Sequence, residues 1–212
     1  MYPLIVLIEL FFHNPSSTTY RIGPVPIAVY CISTHDNIFS DIFVPSNVYK
    51  LKPMNEEHAR DILGWRYPTP YDFYDPPGDG PVEHYVLKFT RPELQFHAVL
   101  NKHDQFVGFC SYGIDGQVPG GDYSYPALDI GLGMKPEFTG QGTGVVFFTA
   151  ILRYANKVLG ARMLRLTVAN FNQRALSLYD KFGFYATSEF TDARNQVEYT
   201  ILLGEYGSHQ SQ

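Results

Sequence analysis

The segment Met134-Lys-Pro-Glu-Phe-Thr-Gly-Gln-Gly-Thr-Gly-Val145 joins an apolar, strand-like run to a helix with one apolar face. Its glycines, Gly140, Gly142 and Gly144, accept backbone conformations that other residues avoid, and without side chains they let amide N–H groups approach an anion closely. The start of the following helix adds unpaired N–H groups and a partly positive charge. The segment therefore predicts a pyrophosphate-binding turn, with a turn that only connects two elements as the alternative.

The residues on either side of this turn predict an alternation of strands and helices. Leu128 to Met134 reads as a buried strand, and apolar residues at three- and four-residue intervals predict a helix from Gly142 to about Leu159. Met163-Leu-Arg-Leu-Thr-Val168 reads as the next buried strand. Asn172 is placed to cap a second helix that runs from Gln173 to Phe182.

The stretch Asn170-Phe-Asn-Gln-Arg-Ala-Leu-Ser-Leu-Tyr-Asp-Lys-Phe-Gly-Phe184 resembles the second signature of the GNAT superfamily of acyl-CoA N-acyltransferases. The matching positions are Asn172, Ala175, Leu178, Tyr179, Gly183 and Phe184. The first signature is Arg or Gln, two residues, Gly, one residue, then Gly or Ala. It matches Thr139 to Gly144, except that Thr139 replaces the long polar side chain at the first position. The resemblance covers residues 49 to 203.

The resemblance implies an α/β fold with a mixed, mostly antiparallel central sheet flanked by helices. The rest of the chain supplies suitable elements. They are a strand over residues 48–52, a helix over 56–63 capped by Asn55, a hairpin of strands over 96–100 and 106–112, a polar loop over 114–125, and closing strands over 185–190 and 197–203. We expect an N-terminal extension with little order (residues 1–48), a catalytic domain (49–203) and a short tail (204–212). A chain that starts at Val48 should then fold and bind its coenzyme.

Composition restricts the alternatives. A net charge of -5 argues against a general nucleic-acid binder. The apolar run from Tyr2 to Phe12 contains Glu9, fits a signal peptide poorly and is too short to cross a bilayer as a helix. The cysteines, Cys31 and Cys110, have no metal-ligand spacing. We expect a cytoplasmic protein without a metal and without nucleic-acid or membrane partners.

The resemblance implies acetyl-CoA as the co-substrate and an amine as the acceptor of its acetyl group. It assigns the pantetheine arm to the backbone of Leu132, Gly133 and Met134. It assigns the pyrophosphate to the turn, which consists of Thr139, Gly140, Gln141, Gly142, Thr143, Gly144 and Val145. The side chains of Asn172 and Arg174 would contact the coenzyme. A helix cap alone for Asn172 and a solvated side chain for Arg174 are the alternatives.

The resemblance also implies the catalytic groups. Tyr179 corresponds to a family tyrosine that gives a proton to the leaving thiolate, and its alternative role is that of a buried core aromatic. Asp129 lies near the position of a family glutamate and is the candidate general base, with an ion pair to a neighbouring cation as the alternative. Thr167 stands where some relatives have an acid. His84 and His97 are weaker base candidates.

The acceptor site is expected in the Pro-rich aromatic stretch from Trp65 to Pro77. Aromatic faces attract cations, and Asp72 or Asp75 would add negative charge. The candidate residues are Trp65, Tyr67, Tyr71, Phe73 and Tyr74, which would otherwise only cover the end of the sheet. The acceptor is a small-molecule amine or a protein amine, and a homodimer is compatible with the family.

Two other classes of protein stay open. A coenzyme-binding regulator of the same fold would explain Thr139 and the unsettled base. A nucleotide-binding protein of another fold is disfavoured, because no Lys-Ser or Lys-Thr follows the glycines and Val168-Ala-Asn170 lacks the acid that a dinucleotide fold requires.

Overall fold

A computed structural model describes residues 21–22, 25–26, 48–76 and 80–206. The predictions for Tyr2 to Phe12, for Cys31 and for most of the N-terminal extension therefore lie outside the described residues. Two short strands, β1 (Arg21–Ile22) and β2 (Val25–Pro26), pair with each other in antiparallel orientation.

The centre of the molecule is a seven-stranded sheet with the strand order β3-β4-β5-β6-β7-β9-β8. Every neighbouring pair is antiparallel except β6 and β7, which run parallel. This confirms the predicted mixed, mostly antiparallel sheet. The strands are β3 (Tyr49–Pro53), β4 (His97–Asn101), β5 (Phe106–Tyr112), β6 (Leu128–Met134), β7 (Met163–Ala169), β8 (Tyr185–Thr191) and β9 (Glu198–Glu205).

Helices cover both faces of the sheet. They are α1 (Glu56–Leu63), α2 (Val82–Thr90), α3 (Gly144–Lys157) and α4 (Gln173–Lys181). On one face, Phe89 of α2 packs against Phe109 of β5, with ring centroids 6.0 Å apart. On the other face, Phe148 of α3 packs against Tyr179 of α4 at 5.0 Å. Buried aromatic and branched side chains thus form a core on each side of the sheet.

Most predicted elements are present, with shifts at their ends. The helix expected over 56–63 has those bounds, and Asn55 Oδ1 accepts a hydrogen bond from His58 N at 2.8 Å. The helix expected to begin at Gly142 begins at Gly144, and β9 continues past residue 203 to Glu205. Helix α2 was not predicted. Short single-turn 3₁₀ segments lie at Tyr71–Tyr74, Pro92–Leu94, Ile114–Gly116 and Pro136–Phe138.

Candidate active site

The parallel strands β6 and β7 separate soon after they begin to pair. Their register contains only Leu128 with Leu164 and Asp129 with Arg165. Beyond that point β6 remains paired with β5, and β7 remains paired with β9. The C-terminal halves of β6 and β7 therefore enclose an opening, which we call the strand gap.

The direction of the β6 backbone decides which groups face the strand gap. Asp129 O accepts from Gly113 N, and Lys135 N donates to Val107 O, both at 2.9 Å, so these two residues face the β5 side. Because backbone groups of successive strand residues point to opposite sides, Leu132 and Met134 face the gap. Met134 O already accepts a hydrogen bond from the Tyr67 hydroxyl at 2.8 Å. The backbone of Leu132 and the N–H of Met134 therefore remain as the edge that a ligand in the gap would meet.

Gly133 differs from the prediction, because its backbone faces β5 rather than the gap. Its lack of a side chain has a packing reason instead. A Cβ atom at this position would lie 2.5 Å from Cε1 of Phe109. The glycine thus lets the Phe109 ring lie flat against β6.

The glycine turn has the conformation that its sequence predicts. Gly140 and Gly142 have φ angles of 70° and 72°, in the left-handed region that favours glycine. Within the described residues, Phe147 is the first residue after Thr139 whose backbone N–H donates to another backbone group, at 3.0 Å from Thr143 O. The amides of residues 140–146 are thus available to an anion at the N-terminus of α3.

Polar side chains of the turn form hydrogen bonds with nearby backbone carbonyl groups. Thr139 Oγ1 donates to Pro136 O, and Gln141 Nε2 donates to Glu137 O, both at 2.7 Å. The Thr143 hydroxyl lies 3.9 Å from Met134 Sδ. These contacts fix the path of the turn, so its side chains shape the site while its amides face an anion.

Asn172 links the second helix to the aromatic stretch. The residue is fully buried. Its Oδ1 accepts from Ala175 N at 3.2 Å, which makes it the cap of α4, and its Nδ2 lies 3.5 Å from the Tyr74 hydroxyl. The guanidinium of Arg174 lies over the Tyr71 ring, 5.0 Å from its centroid. Both residues after β7 therefore hold the aromatic stretch in place.

Tyr179 lies beside this contact and is 1% exposed. Burial, and secondarily the neighbouring Tyr74, raises the pKa of its hydroxyl far above the ordinary value. In the described part of the chain no group hydrogen-bonds to this hydroxyl. Tyr179 is thus a neutral phenol that holds its proton at physiological pH, and the same burial makes it a weaker proton donor than an exposed tyrosine.

The aromatic stretch, residues 65–76 in the described chain, spans the open end of the strand gap. Tyr67 reaches β6 through Met134 O, and the Tyr67 amide is held by Asp75 Oδ1 at 2.8 Å. Tyr71 and Tyr74 pack against Phe171, after β7, with centroids 6.4 and 5.6 Å apart. The stretch therefore touches both sides of the gap.

Two other aromatic residues of the stretch have different surroundings. Phe73 is 39% exposed and contacts Phe171 edge-on at 5.6 Å. Trp65 packs in the core against Phe106 and Phe109, at 5.6 and 5.8 Å. The structure therefore corrects the prediction for Trp65, which supports the sheet and does not line the gap.

Asp129 forms an ion pair with a neighbouring cation, which is the alternative to a role as general base. It is 4% exposed, and Arg165, on β7, is 3% exposed. Arg165 Nε and Nη2 bond to the two carboxylate oxygens of Asp129 at 2.6 and 2.9 Å, and Gln117 Nε2 donates to Oδ2 at 2.8 Å. Both carboxylate oxygens are therefore occupied by hydrogen-bond donors of the protein itself. This geometry argues against the predicted base role and makes Asp129 an ion-pair partner.

The two histidines lie away from the gap. His97 Nδ1 is 2.7 Å from Gln95 O, and Nε2 is 2.9 Å from the Tyr154 hydroxyl. Burial lowers the pKa of His97, which favours the neutral ring. His84 lies exposed on α2. Neither histidine is placed as a base.

The described residues contain no candidate metal site and no candidate membrane-spanning helix. No group of three or more His, Cys, Asp or Glu side chains in them could hold a metal ion. No helix among these residues combines the length and the apolar character needed to cross a membrane.

Comparison with known proteins identifies the class to which this fold and site belong. The model of the Acetyltransferase (GNAT) family matches residues 57–184, more than half of the chain. The chain belongs to this family and is an acyl-CoA N-acyltransferase, for which the family implies acetyl-CoA as co-substrate. None of the curated proteins is detectably similar in sequence.

Solved structures share the fold at low sequence identity. A chimera of spermidine N-acetyltransferase SpeG from Vibrio cholerae and hSSAT is 16% identical, with a TM-score of 0.56 over 74% of this chain and 95% of that one. An acetyltransferase of the GNAT family from Bacillus anthracis is 12% identical, with a TM-score of 0.59 over 77% and 98%. A dodecameric spermidine N-acetyltransferase from V. cholerae is 16% identical, with a TM-score of 0.54 over 74% and 93%.

Proposed function

We propose that this enzyme transfers the acetyl group of acetyl-CoA to a primary amine that attacks the thioester directly. The observation that carries the proposal is the strand gap, which has the glycine turn and the N-terminus of α3 on one face. An anion at the turn and an extended arm along β6 would place a thioester between β6 and β7.

The coenzyme would be held mostly by backbone groups. The amides of residues 140–146 suit a pyrophosphate, because they converge at a helix N-terminus and have no competing backbone acceptor in the described chain. The backbone of Leu132 would pair with the pantetheine arm. The side chains of Asn172 and Arg174 are the further candidates for contact with the coenzyme, and their contacts within the protein hold Tyr74 and Tyr71.

The reaction requires one bond to form and one to break. The amine nitrogen bonds to the acetyl carbon, the carbon–sulfur bond breaks, and the sulfur leaves as a thiolate. Tyr179 gives its proton to this thiolate, and the proton that the amine loses as the amide forms passes to the tyrosinate, directly or through water, which restores Tyr179. In this proposal Asp129 is the ion-pair partner of Arg165, and the pair lies where β6 and β7 separate.

The acceptor is a small-molecule amine or a protein amine. Structural neighbours include spermidine N-acetyltransferases, which supports a small amine at the level of the fold. We further propose a cytoplasmic enzyme, consistent with the free buried thiol of Cys110, and a homodimer.

The first experiment is a calorimetric titration of the protein with acetyl-CoA, followed by thiol release with a panel of primary amines. Gly142→Glu should abolish binding, because it places a carboxylate beside the phosphates. Gly160→Glu is the matched control, since Gly160 also has a positive φ of 68° but follows the other end of α3 and has open space around it. Binding without turnover of any amine would favour the regulator, and no binding would refute the proposal.

A further inference from the structure

Residues 114–125 connect β5 to β6 and lie on the sheet face opposite α3. We call them the crossing segment. At one end, Gly116 packs directly on β6, where a Cβ atom would lie 3.0 Å from the carbonyl carbon of Ile130 and 3.2 Å from Cβ of Asp129. Lys88, on α2, bonds to Asp115 at 2.6 Å. The first part of the segment is thus fixed to the β6 side of the strand gap.

The other end of the crossing segment lies on β7. The Tyr123 hydroxyl is 3.1 Å from Thr167 Oγ1. The same hydroxyl accepts from Val118 N at 2.7 Å and lies 3.1 Å from Val118 O. The segment therefore passes from β6 to β7 where the two strands have separated, and it covers one face of the gap.

Arg165 holds this arrangement together. Besides its two bonds to Asp129, Arg165 donates from Nη1 to Tyr125 O at 2.7 Å. Its guanidinium also lies over the Tyr123 ring, 4.9 Å from the centroid. One side chain thus joins β6, β7 and the crossing segment. Gln117, which bonds to the same carboxylate, adds a second attachment.

The two faces of the strand gap are therefore different. The glycine turn and α3 occupy one face, where the Thr143 hydroxyl approaches the Met134 side chain. A coenzyme bound there would present the acetyl group to the gap from that face. The aromatic stretch spans the open end, so an amine that attacks from the opposite face must pass the crossing segment.

We propose that the crossing segment forms a wall of the acceptor site and that Arg165 is a positioning residue, which sets this wall through Tyr123 and Tyr125. This inference rests on the proposed acetyl transfer to an amine. The wall acts on the acceptor alone, because the groups that would hold the coenzyme lie on the other face.

The test uses Tyr123→Phe and Thr167→Val, which both remove the contact between the crossing segment and β7. Tyr123→Phe also removes the contacts of the hydroxyl with Val118, so Thr167→Val is the narrower change. With the best amine of the panel, each variant should raise KM for the amine, with an upper limit of about 13-fold that corresponds to the full free energy of one hydrogen bond. KM for acetyl-CoA should stay within error of the parent value. Tyr185→Phe is the control for loss of a phenol, since Tyr185 is 57% exposed on the edge strand β8.

Each outcome decides between a positioning role and a structural one. Unchanged KM for the amine in both variants would overturn the inference, even if the melting temperature falls. Equal increases in KM for both substrates would overturn it as well, because the wall would then not be specific to the acceptor. A parent enzyme that binds acetyl-CoA but acetylates no amine would refute the proposed function, and this inference with it.

Discussion

Asp129→Asn separates the two roles that the sequence left open for this residue. The substitution keeps the shape of the side chain but removes its charge, so it leaves the Arg165 guanidinium uncompensated in a site where both partners are at most 4% exposed. Removing one partner of a buried ion pair typically costs about 3–5 kcal/mol, much more than for an exposed pair. The asparagine oxygen still accepts one hydrogen bond, which favours the lower end of this range.

For a chain of this length, that loss corresponds to a fall in melting temperature of roughly 6–20 °C. The double variant Asp129→Leu with Arg165→Met should lose much less stability than Asp129→Asn, because neither charge remains buried. Glu83→Gln is the control for loss of an acid from an exposed pair, as Glu83 bonds to Arg60 at the surface, and its effect should be small.

The assay is urea unfolding followed by circular dichroism, together with kcat at a temperature where every variant is folded. Asp129→Asn should reduce the free energy of unfolding and retain substantial turnover. An unchanged free energy of unfolding, with kcat lower by a factor of about 10²–10⁴, would refute this reasoning and restore Asp129 as the general base.

Three further predictions concern the acid, the packing of β6 and the effect of pH. Tyr179→Phe should lower kcat by a factor of about 10²–10⁴ with the calorimetric affinity for acetyl-CoA little changed, and unaltered turnover would remove the acid role. Gly133→Ala should destabilise the fold by about 1–3 kcal/mol in urea unfolding, because the new Cβ meets the Phe109 ring. Gly64→Ala is the control, since Gly64 has an ordinary φ of -86° and its added Cβ would have its nearest contact at 3.4 Å, so it should not destabilise the fold. Equal losses of unfolding free energy in the two variants would contradict the packing argument. Burial lowers the pKa of His97 in the folded state, so the unfolded chain binds a proton more readily and stability should fall as pH drops below about 6.5. In thermal melts at a series of pH values, His97→Gln should weaken this dependence, and an unchanged pH profile would exclude the contribution of His97.

Local patterns predicted the parts of the molecule that local physics determines. The left-handed glycines, the Asn55 and Asn172 caps and the apolar face of α3 each depend on residues close in sequence, and each is present. Helix α2 was missed because only Val86 and Phe89 of its nine residues are buried, too few to give a helical period.

Long-range contacts explain the other differences. The carboxylate of Asp129 meets Arg165 only because of the β6–β7 register, a pairing across 36 positions that the sequence does not reveal. Trp65 belongs in sequence to the aromatic stretch, yet its ring packs against Phe106 and Phe109 of β5. Long-range contacts also explain why the sequence did not indicate that Arg165 would hold residues 114–125 in place.

The two faces of the strand gap would place different demands on the amino-acid sequence. Backbone amides and a strand edge would hold the coenzyme, and these groups require glycine at a few positions but tolerate many side chains elsewhere. Selection of the acceptor would instead depend on side chains, namely those of the aromatic stretch and of the crossing segment. Substitutions at Tyr123 or Thr167 should therefore change which amine is used while the coenzyme stays the same. A panel of amines tested against both variants would measure this directly, and a parallel loss with every amine would contradict a role in selection.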